Sequence, residues 1–112
     1  VGDLNLKKYE DYINVFDALS HPVRIKIIGI LAEGRQYVSE LARLVNISRP
    51  LLYMHLKKLE TARLVTSAME ISESGKAMKY YALEDFELQV TRELLQGLSQ
   101  NIIIETPSKD GD

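Results

Sequence analysis

Residues 39–83 hold the pattern that most limits how this 112-residue chain can fold. Ser39 stands as a cap before a short periodic run, Glu40 to Val45, in which Leu41, Leu44 and Val45 point inward. Asn46-Ile47 follows, and Asn tolerates the left-handed backbone that a tight turn needs. Ser48 caps again, with Pro50 in the first turn, and opens a helix that runs to about Ala62. Two β-prone runs come next, Leu64–Ile71 and Ala77–Leu83, the second carrying Tyr80 and Tyr81. Ser72-Glu73-Ser74-Gly75-Lys76 separates them as a turn-rich tip. The spacing predicts two short helices joined by a four-residue turn and followed at once by a β-hairpin.

The flanks are helical. Leu6, Tyr9, Tyr12, Ile13, Phe16 and Leu19 recur on one face of a helix expected from about Leu4 to Leu19. Ser20-His21-Pro22 breaks it and restarts a helix over Pro22 to Glu33, with Ser20 or His21 as cap and Gly34 as terminator. Apolar residues lie nearly all round this second helix, which is therefore expected to be the central buried one. Arg35 to Val38 reads as short and extended, and a last helix is expected from Phe86 to about Ile103. The whole is mainly α with a small β-hairpin (α+β), one domain over residues 1–104 and a flexible tail over 105–112.

Composition excludes more than it selects. The chain has no cysteine, which removes disulfides, thiolate metal sites and cysteine redox sensing. No apolar run approaches the roughly 18–20 residues of a membrane span. The first residues include Asp3, Lys7, Lys8 and Glu10 and no apolar signal core, so a cytoplasmic protein without membrane contact in this segment is expected. A Gly-rich phosphate loop, a cysteine nucleophile and an HExxH motif are all absent, and Glu10-Asp11 and Glu84-Asp85 suit helix starts better than acid–base work. No enzyme and no cofactor are expected. The net charge of −2 hides a segregation. Residues 21–83 carry ten basic and five acidic groups, between acidic flanks.

The helix–turn–helix–hairpin order is that of winged helix-turn-helix proteins, whose second helix enters the DNA major groove. In the helix after Ser48, Leu52, Leu56 and Leu59 form the inward stripe, and Pro50, Met54, Lys57 and Thr61 point away from it. Ser48, Arg49, Pro50, Leu51, Tyr53 and Met54 then face base edges, sugars or phosphates of double-stranded DNA, while Lys57 and Lys58 meet phosphates. Lys76 and Lys79 on the hairpin are expected to lie along the backbone or minor groove.

Longer motifs carry a family resemblance. Ala18-Leu19-Ser20-His21-Pro22-Val23-Arg24-Ile25-Lys26-Ile27-Ile28 resembles the opening of the ArsR family of regulators. Ser48 through Leu59 resembles that family's recognition helix, and Ala62-Arg63-Leu64-Val65 its "AGLV" segment with Arg63 in place of Gly. Gly75-Lys76 through Tyr80-Tyr81-Ala82-Leu83 resembles its wing, one residue longer. The resemblance covers roughly residues 10–100. It implies a homodimer built from the first and last helices, with Tyr9, Tyr12, Phe16, Leu88, Leu95, Leu98 and Ile102 at the interface, and so a palindromic operator. The sequence agrees independently, since Phe86, Leu88, Val90, Leu94, Leu95, Leu98 and Ile102 would cover more of one helix than a single core uses.

The family's metal sites are not matched. Tyr37 and Ser39 stand where Cys-x-Cys would, and the last helix offers Asp85 and Glu87 without a histidine. His21 is expected to cap a helix and His55 to serve structure, so no metal is expected. The leading reading is a sequence-specific regulator, a repressor. The alternative, motivated by the acidic flanks and the Tyr53-Met54 surface, is a winged-helix architectural or protein-interaction module. A third reading places an apolar effector among Tyr9, Tyr12 and Phe16 at the dimer interface, but the sequence names no small-molecule effector.

Overall fold

The computed structural model describes residues 6–105. Its elements are α1 (Tyr9–Leu19), α2 (Pro22–Ala32), β1 (Gln36–Tyr37), α3 (Val38–Val45), α4 (Arg49–Thr61), β2 (Val65–Ile71), β3 (Ala77–Leu83) and α5 (Arg92–Ser99). The three strands form an antiparallel sheet in the order β1-β3-β2. The expected architecture is the observed one, with β1 joining the hairpin as a third strand. The proposed tail beyond Glu105 and the expected helix start at Leu4 lie outside the described residues.

Local chemistry sets the boundaries. Among the described residues α1 begins at Tyr9, because the Asp11 carboxylate accepts from the backbone N–H groups of Lys7 and Lys8, both at 3.2 Å. His21 caps α2, its Nδ1 accepting from the Val23 N–H at 3.1 Å. α3 starts one residue before the expected cap: Tyr37 is its N-cap and Ser39 lies inside the first turn. Asn46 is left-handed (φ 63°), as expected of a turn Asn, and the Ile47 N–H closes onto the Ala42 carbonyl at 3.2 Å. The connection to α4 is Asn46 to Ser48, one residue shorter than expected. α4 ends in a Schellman turn: the Leu64 N–H reaches the Leu59 carbonyl and the Arg63 N–H that of Glu60, with Arg63 itself left-handed (φ 65°).

The core joins Val15 and Ala18 of α1, Ile27 and Leu31 of α2, Leu41 of α3, the α4 stripe Leu52, Leu56 and Leu59, then Leu64, Val65 and Tyr81. Leu52, Leu56 and Leu59 are fully buried, each worth about 1.5–3 kcal/mol of apolar transfer. Leu44 of α3, expected to point inward, is exposed, and two further expectations fail here. α1 turns Val15 and Ala18 to the core, leaving Tyr9, Tyr12 and Phe16 half-buried and Ile13 exposed. α2 is not buried all round, for Ile25 is half exposed, and its third core-facing residue is Arg24.

The last helix also starts later than Phe86. Residues 84–91 are irregular, and the Thr91 hydroxyl caps α5 by accepting from the Leu94 N–H at 3.0 Å. Phe86 and Leu88 are spaced by two, the period of an extended chain, and both pack against the core while Glu87 and Gln89 face out. Leu88 is thus not on the last helix, and neither is Ile102, because α5 ends at Ser99 rather than near Ile103. α5 is amphipathic yet has no buried residue, with Leu95 47% exposed.

Candidate nucleic-acid interface

α4 presents its outer face because its inner one is fixed. The Ser48 hydroxyl accepts from the Leu51 N–H at 3.4 Å, and Pro50 occupies the first turn. With Leu52, His55, Leu56 and Leu59 buried, Arg49, Pro50, Leu51, Tyr53, Met54 and Lys57 are left exposed. Met54 is 67% exposed on this face.

A buried polar cluster holds this helix in place. Arg24 donates from Nε to the Ala18 carbonyl (2.8 Å), from Nη2 to the Asp17 carbonyl (3.0 Å) and from Nη1 to Nδ1 of His55 (3.0 Å). One guanidinium therefore caps the C-terminal carbonyls of α1, which has no basic residue in its last turn, and reaches α4. An accepting Nδ1 places the His55 proton on Nε2 and favours the neutral ring. Burial, then the neighbouring His21 and Arg24, hold the His55 pKa below its ordinary value. The His21 ring lies 4.6 Å from that of His55. His55 is structural, as expected. The role of Arg24 was missed; its one sequence signal was a charge inside an apolar helix.

The cations expected at DNA divide into two groups. Lys58 is committed to Asp17 at 2.9 Å, a contact that joins α4 to α1 and holds the Asp17 pKa below the usual carboxylate range. Lys79 is half-buried against Tyr81, with its ammonium 5.4 Å from that ring and 5.9 Å from the Tyr53 ring of α4. It ties the wing to the recognition helix, and the Tyr81 hydroxyl holds its pKa up. Arg49, Lys57 and Lys76 are exposed and have no ion-pair partner among the described residues.

Two concavities border this face. One of about 320 Å³ lies where Arg49, Lys76 and Lys79 converge on Tyr37, Val38 and Ser39 at the N-terminus of α3. Cations gathered beside a helix N-terminus suit a phosphate. Sequence reasoning had placed Arg49 and the wing lysines separately and had not seen that α3 joins them. The other, about 570 Å³, runs between α1 and α4 beside Asn14, Asp17, Tyr53, Met54 and Lys57. Tyr9, Tyr12 and Phe16 do not line it. Among the described residues no group of His, Asp or Glu is arranged to hold a metal ion, and no helix is long and apolar enough to cross a membrane.

Known proteins share this arrangement. A family model described as bacterial regulatory protein, arsR family, matches residues 21–67. An uncharacterized HTH-type transcriptional regulator of Methanocaldococcus jannaschii is 36% identical over 94 residues, which cover 84% of this chain and 98% of that protein. The crystal structure of the transcriptional repressor BigR from Xylella fastidiosa aligns with a TM-score of 0.56 at 25% identity, over 86% of this chain and 90% of that one. The solution structure of a homodimeric winged helix-turn-helix DNA-binding domain from Mycobacterium bovis aligns with a TM-score of 0.58 at 18% identity, over 82% and 75% of the two chains. The helix-turn-helix with its wing, the free cations on one face and this length of shared sequence have one account: the chain belongs to the ArsR family of winged helix-turn-helix transcriptional regulators.

Proposed function

We propose that two copies of the chain, joined through α1 and α5, bind a palindromic operator in the cytoplasm and repress transcription by blocking promoter access. The observation that carries this reading is the convergence of Arg49 of α4 and Lys76 of the wing on one concavity, with Lys57 exposed further along α4, all three without an ion-pair partner among the described residues. In this assignment Arg49, Tyr53 and Met54 contact base edges, Lys57 and Lys76 contact phosphates, and Lys58 and Lys79 hold the helix and wing in position. The dimer is supported by the unburied apolar side of α5, the half-buried Tyr9, Tyr12 and Phe16 of α1, and the homodimeric Mycobacterium bovis domain.

The test is selection of binding sites from a random duplex library, then fluorescence anisotropy on the selected and scrambled sequences across a salt series. A repressor of this kind prefers its operator by on the order of 10³ or more. Replacing Lys57 with Ala removes one phosphate contact from each copy and lowers the magnitude of the salt slope by about 2 for the dimer, whereas Arg49→Ala weakens the preference for the selected sequence, and both leave the fold unchanged. Equal affinity for both sequences would instead identify an architectural protein.

A further inference from the structure

The hairpin carries an apolar surface that the assignment above does not use. Strand alternation places Val65, Ser67, Met69 and Ile71 of β2 on one face, opposite Leu83, Tyr81, Lys79 and Ala77 of β3. Near the base this face is core, since Val65 and Tyr81 are buried. Further out it leaves the core, with Met69 62% and Ile71 70% exposed. It still looks toward the recognition helix, because Lys79, directly across from Met69, reaches the Tyr53 ring.

The other face of the hairpin is occupied. Arg35 forms a two-pronged pair with Glu70 and stacks 4.3 Å over Tyr80, whose ring meets the edge of Tyr37 at 5.8 Å. These contacts brace the wing from behind and neutralise Glu70, leaving Met69 and Ile71 free in front. Ala77, opposite Ile71, is too small to cover it. Exposed Ile and Met on a braced ribbon, next to cations and level with a recognition helix, are the side chains that enter a minor groove and part a base step.

We propose that Met69 and Ile71 are minor-groove contacts of the wing, pressed onto a flexible pyrimidine–purine step beside each half-site, so that the protein bends its operator and reads it partly through deformability. This rests on the operator-binding reading above. The experiment uses the selected operator, labelled at its ends for energy transfer, and a second duplex with 2,6-diaminopurine replacing adenine under the wing. That base adds an amino group in the minor groove and leaves the pattern read from the major groove in place. The wild-type protein is expected to shorten the end-to-end distance and to lose roughly tenfold in affinity on the modified duplex. The Met69→Ala/Ile71→Ala protein, whose changes remove no core residue, is expected to keep its melting temperature. It should bind the unmodified duplex roughly tenfold more weakly, bend it less and ignore the diaminopurine. A double variant with wild-type affinity, bend and diaminopurine sensitivity would overturn the inference while operator binding stands, and would reassign the patch to a protein partner. A wild-type protein that selects no sequence would remove the operator reading and this inference together.

Discussion

Replacing Arg24 with Met removes the contact on which three helices converge. Arg24 is 7% exposed and spends three donors on the Ala18 and Asp17 carbonyls and on His55. Met fills a similar stem but donates nothing. The Ala18 carbonyl and Nδ1 of His55 then lose their partner, each worth about 1–3 kcal/mol when left buried, while the Asp17 carbonyl keeps the Ser20 N–H at 3.1 Å and hydroxyl at 2.6 Å. Relief from burying a guanidinium offsets part of this, and a net loss of about 2–4 kcal/mol is expected. Against a total stability of about 5–15 kcal/mol that is a large fraction. Urea denaturation followed by circular dichroism, at one fixed protein concentration because the proposed dimerisation would add to apparent stability, measures it. Arg24→Lys keeps the charge but not the fork and falls between the two. An Arg24→Met protein within about 1 kcal/mol of wild type would refute the claim that this guanidinium clamps α1, α2 and α4 together.

Three further outcomes are expected. His55 has a lowered folded-state pKa, so the unfolded chain takes up its proton first; the stability it contributes is complete above about pH 6.5 and is lost as pH falls through the folded-state value. Melting curves from pH 7.5 to 5 will show this loss, and His55→Gln, which does not titrate there, will lack that component. Arg63→Gly relieves a left-handed non-glycine residue and should stabilise by about 1 kcal/mol, less whatever the exposed Asp11 pair contributes, measured by the same melts. Replacing Leu95 and Leu98 with Glu, on a helix with no buried residue, should turn the proposed dimer into a monomer by sedimentation while leaving helical content in place; a dimer mass kept by the variant would place the interface elsewhere.

Local signals read correctly because local chemistry decides them. Ser48 caps α4, Asn46 goes left-handed and β3 spans Ala77–Leu83 as the residues themselves require. The α4 stripe of Leu52, Leu56 and Leu59 was legible for the same reason: helical period and apolar character coincide there. Reading failed where apolar residues had more than one possible neighbour. Phe86 and Leu88 looked helical from their number, but their spacing of two matched the extended path that packs them on the core. In α1 the larger residues drew attention, yet the small Val15 and Ala18 sit where α1 meets the core, because close helix packing needs little volume.

The candidate site divides in the same way. Arg49, Tyr53, Met54 and Lys57 follow from the phase of one helix, so the sequence alone determined them. Whether a lysine is free is a property of space: Lys58 differs from Lys57 in having Asp17 of α1 within reach, and Lys79, already beside Tyr81 on β3, differs from Lys76 in being brought against the Tyr53 ring of α4. Arg24 is the same case inside the core, an ordinary charge in the sequence that tertiary structure turns into a clamp. Met69 and Ile71 are the converse, two ordinary strand residues that the end of the core leaves uncovered. Sequence by itself determined the order of elements and the outward face of α4, because both are set by interactions within a few residues. Tertiary structure decided which charges are spent and which apolar groups are bare, because both depend on neighbours that lie far away along the chain.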